Sequence, residues 1–178
     1  MENTATPIIT TTNVGIRYGL ITGLIWIVVD VIMRATGLSF KYSVYLPVSL
    51  VVYIVGIVLA HRYFKQHNGG FMSFGQGVLI TLVLALVSGF MAGIFNYLYL
   101  NFIDPDYAAR ARADAEAWMS TLPGMQEENL EKAMAGMSDE KLKSPMQILT
   151  TLGNNAIGGV IMGLIVSIFT KHKRPEFE

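Results

Sequence analysis

Two residues of opposite charge stand out because one of them interrupts a long apolar stretch. Asp30 is the only charged residue between Arg17 and Arg34, and it precedes Arg34 by four positions. An acid that precedes a base by four residues pairs with it on the surface of a helix. An ionisable group inside a membrane-spanning helix is by default a functional candidate. Three roles therefore stay open for Asp30: an ion pair at the membrane interface, the handling of protons or cations, and contact with a partner.

Side-chain amides form a second group of candidates. They are Asn96, Asn101, Asn154 and Asn155, which lie within or at the ends of two further apolar stretches. Amides of this kind bond across helices in membranes and fix the register of helix packing. We therefore expect these four residues to bond one another, with a site for a small polar substrate as the alternative.

The residue types and spacings of known catalytic or metal sites are missing from the sequence. There is no cysteine, which excludes disulfides, thiolate chemistry and cysteine-ligated metals. The histidines, His61, His67 and His172, are predicted in or beside loops, and none belongs to an HExxH pattern. No nucleophile elbow or phosphate-binding loop occurs. We expect no enzymatic activity, no cofactor and no metal.

The distribution of charge indicates which elements position these residues. The 178 residues are 52% hydrophobic and 15% charged, and residues 42–61, 66–103 and 144–170 contain no Asp, Glu, Lys or Arg. A bilayer core needs about 20 apolar residues in a helix, because backbone amides in lipid must pair within their own segment. The sequence predicts an all-α polytopic membrane protein, a single membrane domain with spans at about 14–35, 43–62, 74–102 and 146–170. Ser144, Pro145 and Gln147 predict the start of the fourth span as a capping box.

The orientation follows from the basic residues. The 13 Lys and Arg balance 13 Asp and Glu, so no overall field attracts nucleic acid. Four spans place both termini on one side, together with the compact basic segments HRYFKQH (61–67) and KHKR (171–174). Such segments are typical of the cytoplasmic face. We predict cytoplasmic termini and a first span that is retained as a signal anchor.

Small residues recur every four positions in three of the spans. These stripes are Gly15, Gly19 and Gly23; Ala85, Gly89 and Gly93; and Gly159, Gly163 and Ser167. Small residues let helix backbones approach closely in a membrane. The stripes indicate close packing of spans one, three and four within one chain, or homo-oligomerisation through one stripe.

Residues 104–145 form an extramembrane helical segment, the excursion. One helix is predicted from Pro105 to about residue 121 and a weaker one near 126–136. Their apolar residues include Tyr107, Trp118, Met119, Leu122, Leu130 and Met134. Residues three or four apart share a face of a helix. The segment is either a hairpin that lies on the headgroups or caps the helices, or a docking surface for another protein.

Two short motifs resemble a known family. They are GGFMSFGQG (69–77) and FNYLYLNFIDPDYA (95–108), with Gly70, Phe71, Ser73, Phe74 and Gly75 in the first and Asn96, Tyr97, Asn101, Phe102, Ile103, Asp104 and Pro105 in the second. This chain is similar, over about residues 14–170, to the small bacterial four-span membrane proteins catalogued as domain of unknown function 4199. The resemblance implies a location in the bacterial inner membrane and supplies no catalytic residues.

Two functions from different classes follow. The first is a non-enzymatic membrane component that binds a membrane protein partner or itself, which the small-residue stripes and the excursion support. The alternative is a small proton- or cation-coupled transporter that acts as an oligomer, which Asp30 supports. A membrane-embedded enzyme would need a nucleophile and a base at a recognisable spacing, and the sequence offers none.

Overall fold

The protein is a bundle of four long helices with three short helices at one end. The computed structural model describes residues 9–172. The helices, in chain order, are α1 (Thr11–Ala35), α2 (Tyr42–His67), α3 (Phe74–Leu98), α4 (Tyr107–Ser120), α5 (Glu127–Gly136), α6 (Asp139–Leu142) and α7 (Met146–Thr170). The described residues form no β-strand, and one isolated antiparallel bridge joins Met72 and His172. The predicted all-α class is confirmed.

Four of these helices are long and apolar enough to cross a membrane, namely α1, α2, α7 and the continuous segment Phe74–Ile103. The last segment comprises α3 and a π-helical turn, Tyr99–Ile103. The chain is therefore built as a multi-pass membrane protein. The bundle has two halves. The half that contains the carboxyl-terminal ends of α1 and α3 and the amino-terminal ends of α2 and α7 is named the open half. The half that contains the opposite helix ends is named the closed half.

The capping interactions differ from those expected. At the start of α3, Gln76 N donates to Ser73 Oγ at 3.2 Å and Ser73 N donates to Gln76 Oε1 at 2.8 Å, which is a complete capping box. The box expected at α7 does not form, because Ser144 Oγ accepts from Met146 N at 3.2 Å and Pro145 takes the capping position without a side-chain bond. The helix begins one residue later than expected, so Ser144 precedes the capping position and its side chain reaches only the first helical residue.

The small residues bring α1 and α7 onto α3. A Cβ added at Gly19 would lie 2.7 Å from Val87 Cβ and 3.0 Å from the Leu84 carbonyl oxygen. On α7, Gly159 faces Ala85 and Gly163 faces Thr81. The remaining stripe residues follow the same pattern: Gly15 faces Val83, Gly23 faces Met91 and Ser88, Gly89 faces Asn155, Gly93 faces Ile148, and Ser167 faces Gly77. The stripes therefore serve packing within the chain, and their use for homo-oligomerisation receives no support from this arrangement.

The excursion folds back onto the open half. Tyr107 stacks on Phe40 at 5.1 Å and Trp118 stacks on Tyr42 at 4.6 Å between ring centroids. Met134 of α5 is buried, and Met119, Leu122 and Leu130 are half-buried. The apolar face predicted as a partner surface is thus largely covered by its own chain, because an apolar helix face is buried on the nearest apolar surface. Only Trp118 of this set stays well exposed, at 42%.

Candidate intramembrane binding site

A cavity of about 750 Å³ lies between α1, α2, α3 and α7. Its polar walls are in the open half, and they comprise Asp30, Arg34, Asn96, Thr151, Asn154 and Asn155. Its inner end is lined by apolar side chains, among them Ile57, Leu84 and Met162. The cavity is therefore polar near the helix ends and apolar near the middle of the bundle.

The ion pair between Asp30 and Arg34 forms one wall of the cavity. Arg34 Nε donates to Asp30 Oδ2 at 2.8 Å, and Arg34 Nη2 donates to Asn96 Oδ1 at 2.9 Å. The two side chains are only 4% and 7% exposed. The pairing follows the four-residue spacing, and other parts of the chain cover both residues.

Three aromatic rings surround the Arg34 guanidinium. Its central carbon lies 4.4 Å from the ring centroid of Tyr99, 4.5 Å from that of Tyr107 and 5.6 Å from that of Phe95. Such contacts with a desolvated cation are attractive. Burial raises the pKa of the Tyr107 phenol above its ordinary value, so the ring that faces Arg34 stays uncharged. Tyr107 begins α4, and this contact joins the excursion to the bundle.

The π-helical turn positions one of these rings. Asp104 N donates to the Tyr99 carbonyl oxygen, five residues earlier, at 2.8 Å. In a π-helical turn each hydrogen bond joins residues five positions apart rather than four, and such turns are frequent at functional sites. It carries the chain directly from Tyr99 into the loop before Tyr107, so both rings reach the same cation.

Both charged residues keep one atom without a hydrogen-bond partner. Among residues 9–172, neither Asp30 Oδ1 nor Arg34 Nη1 has a partner, and both atoms are buried. Buried polar atoms nearly always have a partner in the protein or in bound molecules. Two residues of the cavity wall thus each keep one unsatisfied atom, an acceptor on the anion and a donor on the cation.

Residues 17–172 match the family described as protein of unknown function (DUF4199). The chain belongs to this family. None of the curated proteins and none of the solved structures matches it. In this DUF4199 protein, the second motif that carries the resemblance contains Phe95, Asn96, Tyr99 and Tyr107, which all contact Arg34.

The amides of the DUF4199 chain do not bond one another as expected. Asn155 Oδ1 accepts from the Tyr53 hydroxyl at 3.0 Å, and Asn96 Oδ1 accepts from Arg34 Nη2. Asn101 Nδ2 donates to the backbone carbonyls of Tyr97 and Lys143, at 2.9 and 3.1 Å. Asn154 is exposed on the cavity wall. The prediction was wrong because Asn96, Asn101 and Asn155 bond to a charged group, a hydroxyl or backbone carbonyls instead.

His61 is the main residue that the sequence interpretation of this DUF4199 protein misplaced. It is fully buried inside α2 rather than beside a loop, because α2 continues to His67. Its Nδ1 lies 2.8 Å from Thr170 Oγ1, and its Nε2 lies 3.0 Å from the Gly77 carbonyl oxygen and 3.1 Å from Thr81 Oγ1. The signal was present, since Ile57, Ala60, His61 and Phe64 share one helix face and are all buried.

Proposed function

We propose that this DUF4199 protein is a non-enzymatic membrane protein that binds a ligand with a polar group in the cavity between its helices. The observation that carries the proposal is the buried Asp30–Arg34 pair, which lines the cavity and keeps one unpartnered atom on each residue. The cavity volume of about 750 Å³ is within the range of about 300–1,000 Å³ for ligand sites.

The energetics of burial support a ligand. Removing a charged group from water costs several kcal/mol of hydration free energy. The attraction between two opposite charges offsets this cost only when their remaining donors and acceptors are also hydrogen-bonded. Here Asp30 Oδ1 and Arg34 Nη1 lack such bonds within the described residues. A polar molecule in the cavity would complete them. The cavity walls show no nucleophile next to a base, which supports binding rather than catalysis.

The absence of cysteine makes this proposal directly testable. Gly158 lines the cavity, and a Cβ there would meet no atom within 4 Å. Its neighbour Ile157 is 64% exposed on the outside of α7 and is the matched control. In phosphatidylglycerol nanodiscs, a charged thiol reagent should modify Gly158→Cys much faster than Ile157→Cys. Equal, slow modification of both would overturn the proposal.

Proton-coupled transport is the second candidate, because polar groups continue beyond the cavity. Thr81 lines the cavity and also contacts His61, whose other nitrogen contacts Thr170 at the end of α7. Proteoliposomes with an internal pH dye should then show proton flux that Asp30→Asn and His61→Gln each abolish. Flux that does not exceed that of empty liposomes would remove this candidate.

A location in the bacterial inner membrane with cytoplasmic termini is part of the proposal. Arg17, Arg62, Lys65 and Lys171 lie at the closed end of the bundle, where such an excess of basic residues favours the cytoplasm. Lys173 and Arg174, which also support this orientation, lie outside the described residues. A carboxyl-terminal fluorescent protein that matures in the bacterial cytoplasm should fluoresce, and a dark fusion that is inserted normally would reverse the orientation.

Partner binding and self-association are less well supported by the geometry than ligand binding. The stripes that motivated them are occupied within the chain, and most of the excursion's apolar face is covered. Trp118, with 42% of its surface exposed, remains the best candidate for such a contact. Cross-linking in cells that recovers one specific neighbour through this residue would support the association role.

A further inference from the structure

We propose that the ligand is a zwitterionic phospholipid with a primary ammonium group, whose headgroup binds between Asp30 and Arg34. This inference rests on the proposed function and names the chemical class of its ligand. The ammonium group would donate to Asp30 Oδ1, and a phosphate oxygen would accept from Arg34 Nη1, after small side-chain rotations turn these two atoms toward the cavity.

The first step concerns charge. The unpartnered atoms are an acceptor on an anion and a donor on a cation, and both belong to one ion pair. A purely anionic ligand would satisfy Arg34 but would bring like charge to Asp30, and a purely cationic ligand would do the reverse. A zwitterion satisfies both atoms and leaves the net charge of the site unchanged. Arginine is also well suited to phosphate, because its planar donors match the phosphate oxygens.

The second step concerns depth. Asp30 and Arg34 belong to the last two turns of α1, where a helix of this length reaches the headgroup region of a bilayer about 30 Å thick at its core. The apolar end of the cavity, with Ile57, Leu84 and Met162, points toward the membrane centre. The cavity thus has the polarity profile of a lipid, with the polar part at headgroup depth and the apolar part below it.

The third step concerns access. Leu46 of α2 and Asn154 of α7 both line the cavity, and both are exposed, Leu46 at 60%. The cavity therefore reaches the outer surface of the bundle between α2 and α7. In a membrane that surface is covered by lipid, so an acyl chain could extend outward while its headgroup stays inside. A free zwitterion would leave the apolar inner wall without a partner.

Native mass spectrometry of the purified full chain tests the preference. The protein is mixed with equal amounts of phosphatidylethanolamine and phosphatidylglycerol that carry the same acyl chains. We expect at least a tenfold excess of bound phosphatidylethanolamine, loss of the excess in Asp30→Asn and loss of both lipids in Arg34→Gln. Arg17→Gln, at the other end of α1, should bind as the unchanged chain does. Equal binding of the two lipids to the unchanged chain would overturn the inference.

The rate at which the thiol reagent modifies Gly158→Cys provides a second test of the inference. This test does not require the charge variants to fold. Phosphatidylethanolamine in the nanodisc should slow its modification at least tenfold relative to phosphatidylglycerol. If soluble glycerophosphoethanolamine protects equally well, the ligand is a free zwitterion and the lipid assignment is wrong. If the cysteine reacts rapidly whatever lipid is present, this inference fails while the proposed cavity stands. If it reacts under no condition, the proposed function itself fails.

Discussion

The closed and open halves of the bundle bury ionisable side chains in opposite ways. In the closed half, His61 has hydrogen-bond partners at both ring nitrogens, and those partners come from α3 and α7. In the open half, the side chains of Asp30 and Arg34 are only 4% and 7% exposed, yet each keeps an atom that has no partner among residues 9–172. One site is completed by the chain and the other is not.

This difference separates a structural role from a binding role. The oxygens around His61, on Gly77, Thr81 and Thr170, connect α2 with α3 and α7 and occupy both ring nitrogens. The groups around Arg34 are three rings, Asp30 and Asn96, and they leave its Nη1 without a hydrogen-bond partner among residues 9–172. A polar residue in a membrane helix is therefore a stronger functional candidate when its surroundings are incomplete.

The largest expected effect comes from separating the open half's ion pair. Asp30→Asn and Arg34→Gln should each destabilise the fold by about 3 kcal/mol, because a single buried charge remains unpaired. The double variant should lose less than the sum of the two. Glu128→Gln is the matched control, since its pair with Lys132 has the same spacing but is exposed. Thermal unfolding in detergent measures all four, and additive single effects would show that the pair is not coupled.

The next test removes the His61 side chain from the closed half. His61→Ala should destabilise the fold by about 2–4 kcal/mol, because it leaves a cavity in a fully packed region and removes three contacts. His67→Ala is the control, since the His67 ring is exposed and bonds only to the Tyr63 carbonyl of its own helix. Thermal unfolding again gives the difference. Similar midpoints for the two variants would contradict the structural role of His61.

The four spans could be predicted because lipid imposes simple requirements on length and composition. Three charge-free stretches overlap α2, α3 and α7, and a stretch that only Asp30 interrupts overlaps α1. The end of α2 could not be found in this way, because Arg62 and Lys65 follow His61 within four residues. Long basic side chains reach to the helix end from inside the last turns, and Lys65 Nζ donates to the Thr170 carbonyl at 3.0 Å. The first charged residue after an apolar stretch therefore comes before the helix ends.

The candidate site was predictable only in its local part. The spacing of Asp30 and Arg34 determines their pairing, since both lie on one turn of one helix. The contacts with Asn96 and Tyr107 depend on the tertiary fold, because they join residues 62 or more positions apart. The cavity itself has no sequence signal at all. It results from α2 standing away from α7 near Leu46 and Asn154, which no periodicity encodes.

The close packing on α3 is tested by adding a single methyl group. Gly19→Ala should destabilise the fold by about 1–3 kcal/mol, because overpacking forces the backbone of α1 away from α3. The neighbouring Leu84 carbonyl oxygen cannot move without breaking its own helix. Gly153→Ala is the control, since a Cβ there meets nothing within 4 Å, and it should be neutral or slightly stabilising. A Gly19→Ala midpoint equal to that of Gly153→Ala would show that α1 is free to shift.

The smallest effect concerns the attachment of the excursion to the open half. Trp118→Ala removes the stacking contact with Tyr42, which for a partly exposed ring is worth about 1 kcal/mol. Because the contact of Tyr107 with Arg34 is unchanged in this variant, we expect faster amide hydrogen exchange in α4 and α5 only. Tyr107 begins the same helix and covers Arg34, so the exchange near the end of α1 reports whether the excursion also protects the site. Faster exchange at Val31–Ala35 in this variant, with an unchanged closed half, would make the excursion a cover of the binding site rather than a separate appendage.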